Sequence, residues 1–426
     1  MCIVDGHPEF SRVIVGTCVA ALLLGAACDD PDVEVGDDAN DAIVDANDSD
    51  DDNSNSNSNS DDNRVLDTEY QDIELREVAG PFERPWAVAV LDDGRQLVTE
   101  RTGQLHLVDG GEFTEIDGTP EVSVQNQGGL LDVVVHPEFD DNSWVYLTYA
   151  KAGDEGNHTA TAVARGQLDE DEMALTEFEE LFEQNRYSSP GRHYGSRLAW
   201  MTDGTLLVTV GDRGAEPPRA QDLDDHAGTV VRLEEDGSVP DDNPFVDDDD
   251  VLDEIFTWGN RNIQGIVVDD DTGNVWATEH GPRGGDLIHR LEAGNNYGWP
   301  DVTQGLNYAD QGPFPDFEAR SMEGVEEPFH EFTPTMAPSG LALVTTDRFR
   351  NWNGNLLAGG LRAERIRRVV VEDQEVLGDG EYEMLHQEEL LLQEIGRIRD
   401  VREGPEGDIW VLNDADEASL YRISPQ

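Results

Sequence analysis

Lysine is all but missing from this chain: Lys151 is the only one among 28 basic residues. Against those 28 stand 93 acids, a formal net charge of −65 at pH 7. A field of that sign repels phosphate and excludes nucleic acid as a partner. Cysteine is scarce as well. The three present, Cys2, Cys18 and Cys28, all lie near the N-terminus, so no disulfide framework staples the rest and the fold must rest on its core. Long apolar runs are confined to one, VIVGTCVAALLLGAA at residues 13–27, preceded by Arg12 and ended by Cys28-Asp29-Asp30.

That run is too short for a comfortable permanent span and fits the apolar region of a secretion signal. Its end, LGAAC, resembles a bacterial lipobox, in which the cysteine becomes the lipidated first residue. Residues 1–27 are therefore expected to be a lipoprotein-type signal peptide. The mature chain would sit outside the cytoplasm, in the periplasm or at the cell surface, and touch the membrane only through a lipid on Cys28. Residues 28–66 read as a disordered acidic spacer: positions 29–63 carry 14 acids, no lysine or arginine, and an Asn-Ser repeat. Such a segment cannot bury enough apolar surface to offset its ordering entropy.

From Arg64 onward 77 acids still face 27 bases, so the folded part is acidic in its own right. Self-repulsion of this size opposes compaction unless salt screens it, and the screening length falls to about 3 Å at 1 M salt. A high-salt habitat is the expectation; an ordinary acidic extracellular protein is the alternative.

Within residues 67–426 one pattern recurs six times: a short apolar strand, a turn rich in Asp, Asn and Gly, and a second apolar strand. The units begin near Trp86, Gly128, Gly195, Ile263, Ser339 and Ile398. Alternating Val, Leu, Ile and Trp around such turns marks antiparallel hairpins. Repetition every 40 to 75 residues or so marks the blades of a propeller. The expected fold is all-β, a six-bladed β-propeller; two packed sheets plus a second domain explain six equivalent hairpins less well. Residues 169–184 read equally as a helix or as strand, turn and strand.

The loops at one end of a propeller channel bring distant residues together, and chemistry is sought there. His193, in GRHYGSRL, sits in a glycine-flanked turn ahead of a strand, and imidazole titrates where a general base is useful. The turn containing Gly281 and Pro282, in TEHGPRGGD, exposes carbonyl oxygens of the kind calcium accepts. Arg397 and Arg399 alternate on one strand and so share a face. A guanidinium pair there calls for carboxylates, either a ligand's or the protein's own.

The strings NQGGLLDVVVHPEF, HYGSRLAW, TVGDRG, WGNRNIQG, TEHGPRGGD, AGNNYGWP, APSG and GRIRDV, in that order, resemble the glucose/sorbosone dehydrogenase family. The likeness is greatest to its bacterial, soluble PQQ-dependent aldose sugar dehydrogenases. The resemblance implies a six-bladed propeller with PQQ over the channel mouth and Ca²⁺ between cofactor and protein. It places His193 on the base that takes the proton of the anomeric hydroxyl of a sugar as hydride moves to PQQ. Gln127, Arg261 and Asn262 fall beside the cofactor, the carbonyls of Gly281 and Pro282 on calcium, and Arg397 and Arg399 on the PQQ carboxylates. Arg362 stands where the family often has lysine, and the resemblance implies that its retained charge contacts PQQ as well. Leu287-Ile288-His289 stands where it commonly has Glu, an aliphatic residue and Asn, a change that removes the carboxylate of a second, structural calcium. An external electron acceptor is implied as partner. The rival classes are a calcium-dependent lactonase-type hydrolase, which has no use for the arginine pair, and a non-catalytic surface-binding propeller.

Thermal unfolding in dilute buffer and in molar salt tests the high-salt expectation: a higher midpoint in salt is expected, and equal midpoints would overturn it.

Overall fold

Residues that alternate in a strand point to opposite faces, and here both faces are buried. Gln96–Glu100, Leu206–Val210 and Val275–Glu279 are buried along their whole length. A strand of this kind needs a packed layer on each side, which a ring of sheets provides. The computed structural model describes residues 63–154, 156–189, 191–315, 317–373, 382–390 and 393–426. The proposed signal segment, Cys28 and nearly all of the acidic spacer lie outside the described residues.

Six antiparallel sheets form, five of four strands and one of five. The innermost strands are Pro85–Val90, Leu130–Val135, Leu198–Trp200, Ile263–Val268, Pro338–Leu343 and Ile398–Glu403, each contacting the next in a closed circle. We number the blades 1 to 6 in that order. This is the six-bladed β-propeller expected from the repeats. Residues 169–184 follow the strand reading: Thr159–Asp169 and Ala174–Glu183 pair as a hairpin in blade 2.

The core is divided into six clusters, one at each junction between blades. Leu97, Leu131 and Leu147 pack between blades 1 and 2, Tyr146 and Val208 between 2 and 3, Leu207 and Ala277 between 3 and 4. Trp276 and Leu356 pack between 4 and 5, Leu357 and Val411 between 5 and 6, Leu412 and Val98 between 6 and 1. Neighbours such as Leu206 and Leu207 thus serve different junctions. Each fully buried Leu or Val contributes about 1.5–3 kcal/mol, and none of the blades covers its own faces.

Closure uses both chain ends. Ile398–Glu403, Ile409–Asn413 and Ala418–Pro425 are completed by the N-terminal strands Asp72–Phe82 and Asn63–Asp67. The sheet therefore starts at Asn63, four residues inside the segment expected as spacer. Leu66 packs on the junction of blades 5 and 6, and Arg64 pairs with Glu394 at 2.8 Å.

A repeated threonine ties blade to blade. Thr99, Thr148 and Thr209 lie on the second strands of blades 1, 2 and 3. Their hydroxyls accept the N–H groups of Ala87, Asp132 and Arg197 at 3.1, 2.8 and 2.9 Å. They then donate to the carbonyls of Leu131, Ser196 and Ile263 in the following blade, at 2.6, 2.7 and 3.3 Å. Thr278 donates likewise to Ser339 at 3.2 Å. Buried polar groups need such partners, and supplying them across the junction fixes the angle between blades.

Candidate active site

In every blade the innermost strand begins, and its antiparallel second strand ends, at the same mouth of the channel. Gln127, His193, Arg261, Asn262 and Arg397 all lie within five residues before an innermost strand. Asp212, Glu279, Gly281, Pro282, Arg362 and Asp414 all sit at or within three residues of the end of a second strand. Topology alone therefore gathers these positions from five blades at one end.

His193 is held by its neighbours in a left-handed backbone conformation, φ 52°. Its N–H donates to Oε1 of Gln127 at 2.9 Å, and the N–H of Gly195 donates to Oδ1 of Asn262 at 3.0 Å. Nδ1 lies 2.6 Å from Oδ1 of Asp212, whose side chain is 1% exposed. An ionised carboxylate only accepts, so Nδ1 carries the proton and Nε2 keeps a lone pair. No described residue bonds to Nε2. Burial, reinforced by the charge of Arg261 and opposed by Asp212, lowers the imidazole to about 4. Burial alone would raise the Asp212 carboxyl, but His193, Arg261 and the indole of Trp299 hold it below the usual range. The imidazole is therefore held neutral at pH 7.

Arg261 donates from Nη1 to the carbonyl of His280 at 3.0 Å, and its guanidinium lies 5.3 Å from the ring centre of Trp299. Its Nε is buried and meets no hydrogen-bond partner among the described residues. Its backbone N–H is gripped by Glu279, whose other oxygen meets Nε2 of His289 at 2.8 Å. Arg397 and Arg399 do share a face, and they also share one carboxylate. Asp414 takes Nε of Arg397 at 2.8 Å and Nη2 of Arg399 at 3.0 Å. The two arginines, working against burial, lower it to about 2. Two guanidinium groups thus share one carboxylate.

The Gly281 turn is tight, since a Cβ on Gly281 would fall 2.2 Å from the carbonyl oxygen of Gly284. Asp286 fixes it. Its carboxylate accepts from Gly281 N at 3.1 Å, from Met336 N and Ala337 N at 2.9 Å each, and from the hydroxyl of Thr335. No described residue donates to the carbonyls of Gly281 or Pro282. Among the described residues no three His, Cys, Asp or Glu side chains converge as a metal site, so a cation here would draw on carbonyl oxygens. Arg362 is exposed, on a turn whose N–H donates to Met336 O at 3.1 Å, and its side chain makes no bond with any described residue.

Asp212, Trp299, Asp414, Glu279 and Asp286 were not singled out from the sequence. Asp212 was findable, as the carboxylate of VGDRG directly after a strand and one hairpin downstream of His193. Trp299 was not, because it arrives from a loop far along the chain.

The six-bladed propeller, with an imidazole–carboxylate pair and several arginines gathered at one mouth of its channel, defines the class of fold to which the chain belongs. The family model for Glucose / Sorbosone dehydrogenase matches residues 82–422. Aldose sugar dehydrogenase YliI of Escherichia coli (strain K12) is 37% identical over 357 residues, 83% of this chain and 93% of that one. The crystal structure of the soluble aldose sugar dehydrogenase from Escherichia coli in its apo form has a TM-score of 0.77 at 35% identity, covering 83% of this chain and 100% of that one. Quinoprotein glucose dehydrogenase B of Acinetobacter calcoaceticus is 28% identical over 259 residues, 54% of this chain and 53% of its own. The chain belongs to the glucose/sorbosone dehydrogenase family and is an oxidoreductase of the sugar dehydrogenase type.

The electrostatics of the dyad are open to direct measurement. Titrating His193 by NMR in the cofactor-free protein is expected to give a pKa near 4, with the proton of the neutral ring on Nδ1; a value near 6.5 would contradict the buried arrangement.

Proposed function

We propose that the chain oxidises an aldose at its anomeric carbon to the lactone, with PQQ as the bound oxidant and Ca²⁺ beside it. The observation that carries this reading is the His193–Asp212 pair, whose Nε2 meets no described residue, at the same mouth as Arg397 and Arg399, which share the carboxylate of Asp414. The donor set fits the cofactor. PQQ is a tricarboxylate, and planar guanidinium forks grip carboxylates. Among the described residues, Arg397 and Arg399 share the one carboxylate of Asp414, and the buried Nε of Arg261 meets no partner. The free carbonyls of Gly281 and Pro282 fit a calcium ion in the same way. That the Acinetobacter relative is named a quinoprotein supports the choice of cofactor.

When bound, PQQ supplies the two-electron acceptor and calcium polarises it. The rest is the work of this chain. Nε2 of His193 takes the proton of the anomeric hydroxyl, and Asp212 stabilises the imidazolium that forms, as an oriented carboxylate does for a catalytic histidine. Gln127 and Asn262 hold the backbone on either side of the base, so Nε2 does not swing with the loop. Arg397 and Arg399 orient an anionic cofactor by its carboxylates, Arg261 adds a third positive group, and Arg362 lies exposed at the same mouth. The N-terminal apolar run and Cys28 extend the proposal to an enzyme anchored by lipid outside the cytoplasm, passing electrons to an external acceptor.

Reconstitution with PQQ and Ca²⁺, followed by dye reduction against a panel of aldoses, is expected to give turnover that EDTA abolishes. His193→Ala should lose roughly 10²–10⁴ in kcat with PQQ still bound, whereas Arg397→Ala should weaken PQQ binding first. Lactone hydrolysis without dye reduction would replace this reading with the hydrolase.

A further inference from the structure

Trp299 lies outside the set of residues that contact a substrate or cofactor in the reading above, yet it touches both halves of the site. Its indole N–H donates to Oδ2 of Asp212 at 2.7 Å, and the side chain is buried. One edge of the ring system thus bonds the carboxylate that orients the base, while the ring lies near the guanidinium of Arg261. The tryptophan is itself firmly placed. Its backbone N–H donates to Gly259 O at 2.7 Å, its carbonyl accepts from Gln221 Nε2 at 2.7 Å, and Phe314 packs on it at 4.6 Å between ring centres. Gly259 has to be glycine for this, since a Cβ there would stand 2.0 Å from Oδ1 of Asn296.

Asp212 is otherwise met by Nδ1 of His193 and, at 2.8 Å, by the N–H of Gly214, both on Oδ1. Among the described residues, Oδ2 is met only by the indole. Without it a buried carboxylate oxygen stands bare, and the carboxylate becomes a stronger base. We propose that Trp299 is a positioning residue of the reaction: through its N–H it fixes Asp212 and keeps the imidazole of His193 neutral and aimed, and through its ring it seats Arg261. The proposal rests on His193 serving as the base.

The sign of its effect follows from the groups facing His193, which are Asp212, Arg261 and Arg192. The two arginines oppose protonation and Asp212 favours it. A carboxylate stripped of the indole donor pulls harder on the imidazolium, so the histidine titrates higher and less of it is a free base at low pH.

Trp299→Phe removes the N–H and keeps an aromatic ring. The pKa of His193, read by NMR without cofactor, is expected to rise by about one unit. The kcat per bound PQQ should fall about tenfold, with the loss growing as pH drops, while KM and PQQ affinity change less than about threefold. Unchanged His193 titration together with unchanged kcat per bound cofactor would overturn the proposal and leave Trp299 a packing residue. A shifted titration in a protein that shows no PQQ-dependent turnover would uphold the coupling and refute the dehydrogenase reading instead. Should the variant not fold, the indole N–H resonance of Trp299 in the unmodified protein must follow the His193 titration with the same midpoint; an indole signal that ignores it overturns the proposal.

Discussion

Arg197 holds the axis of the ring. Its side chain is 1% exposed, and it faces Asp132 of blade 2 at 3.3 Å and Asp400 of blade 6 at 2.9 Å. Arg402 closes the square, at 2.8 Å from Asp132 and 3.1 Å from Asp400. Arg197 also donates to the carbonyls of Gln264 at 2.7 Å and Arg399 at 3.1 Å, and its guanidinium lies 4.1 Å from the ring centre of Trp86. One side chain of blade 3 therefore meets blades 1, 2, 4 and 6. Removing one member of a buried ionic network costs about 3–5 kcal/mol because the remaining charge is stranded. Here the consequence reaches the site. The strands that Arg197 joins are the ones that follow Gln127, His193 and Arg261 and that carry Arg399, so the same cluster sets the distances among residues more than 250 positions apart.

Above that axis the mouth is chemically distinct from the rest of the protein. A chain with more than three acids for every base places arginines around one histidine and gives two of them a single carboxylate between them. Burial then works in two directions. It keeps His193 neutral, which suits a base, and it strengthens the attraction of the remaining positive charge for an anionic ligand.

The propeller was legible because its period is written in short strands with turn signals, and the six starting points near Trp86, Gly128, Gly195, Ile263, Ser339 and Ile398 all fall close to innermost strands. Closure was not legible: Asp72–Phe82 carries no mark telling it to complete the last blade, since its partner Ala418–Pro425 lies at the other end of the chain. The inter-blade threonines were visible as LVTE, YLTY, LVTV and WATE but look like ordinary strand residues until the hydroxyl is seen reaching across a junction. At the site, His193 and the arginine pair were found because their residue types announce a chemistry. Asp212, Asp414 and Trp299 were missed because their meaning lies in the partner: in so acidic a chain an aspartate is inconspicuous, and nothing local reveals that it meets His193 or Arg397. The resemblance to the glucose/sorbosone dehydrogenase family reached farther than the residue types did, bringing in Gln127, Arg261 and Asn262, which the structure places at the same mouth.

A crystal structure of the protein grown with PQQ and Ca²⁺ tests the central claim most directly. The account predicts cofactor carboxylates on the guanidinium groups of Arg397 and Arg399, a calcium ion on the carbonyl oxygens of Gly281 and Pro282, and Nε2 of His193 open toward the reactive face. A cofactor bound elsewhere, or a mouth that stays without cofactor and metal at saturating concentrations, would contradict it.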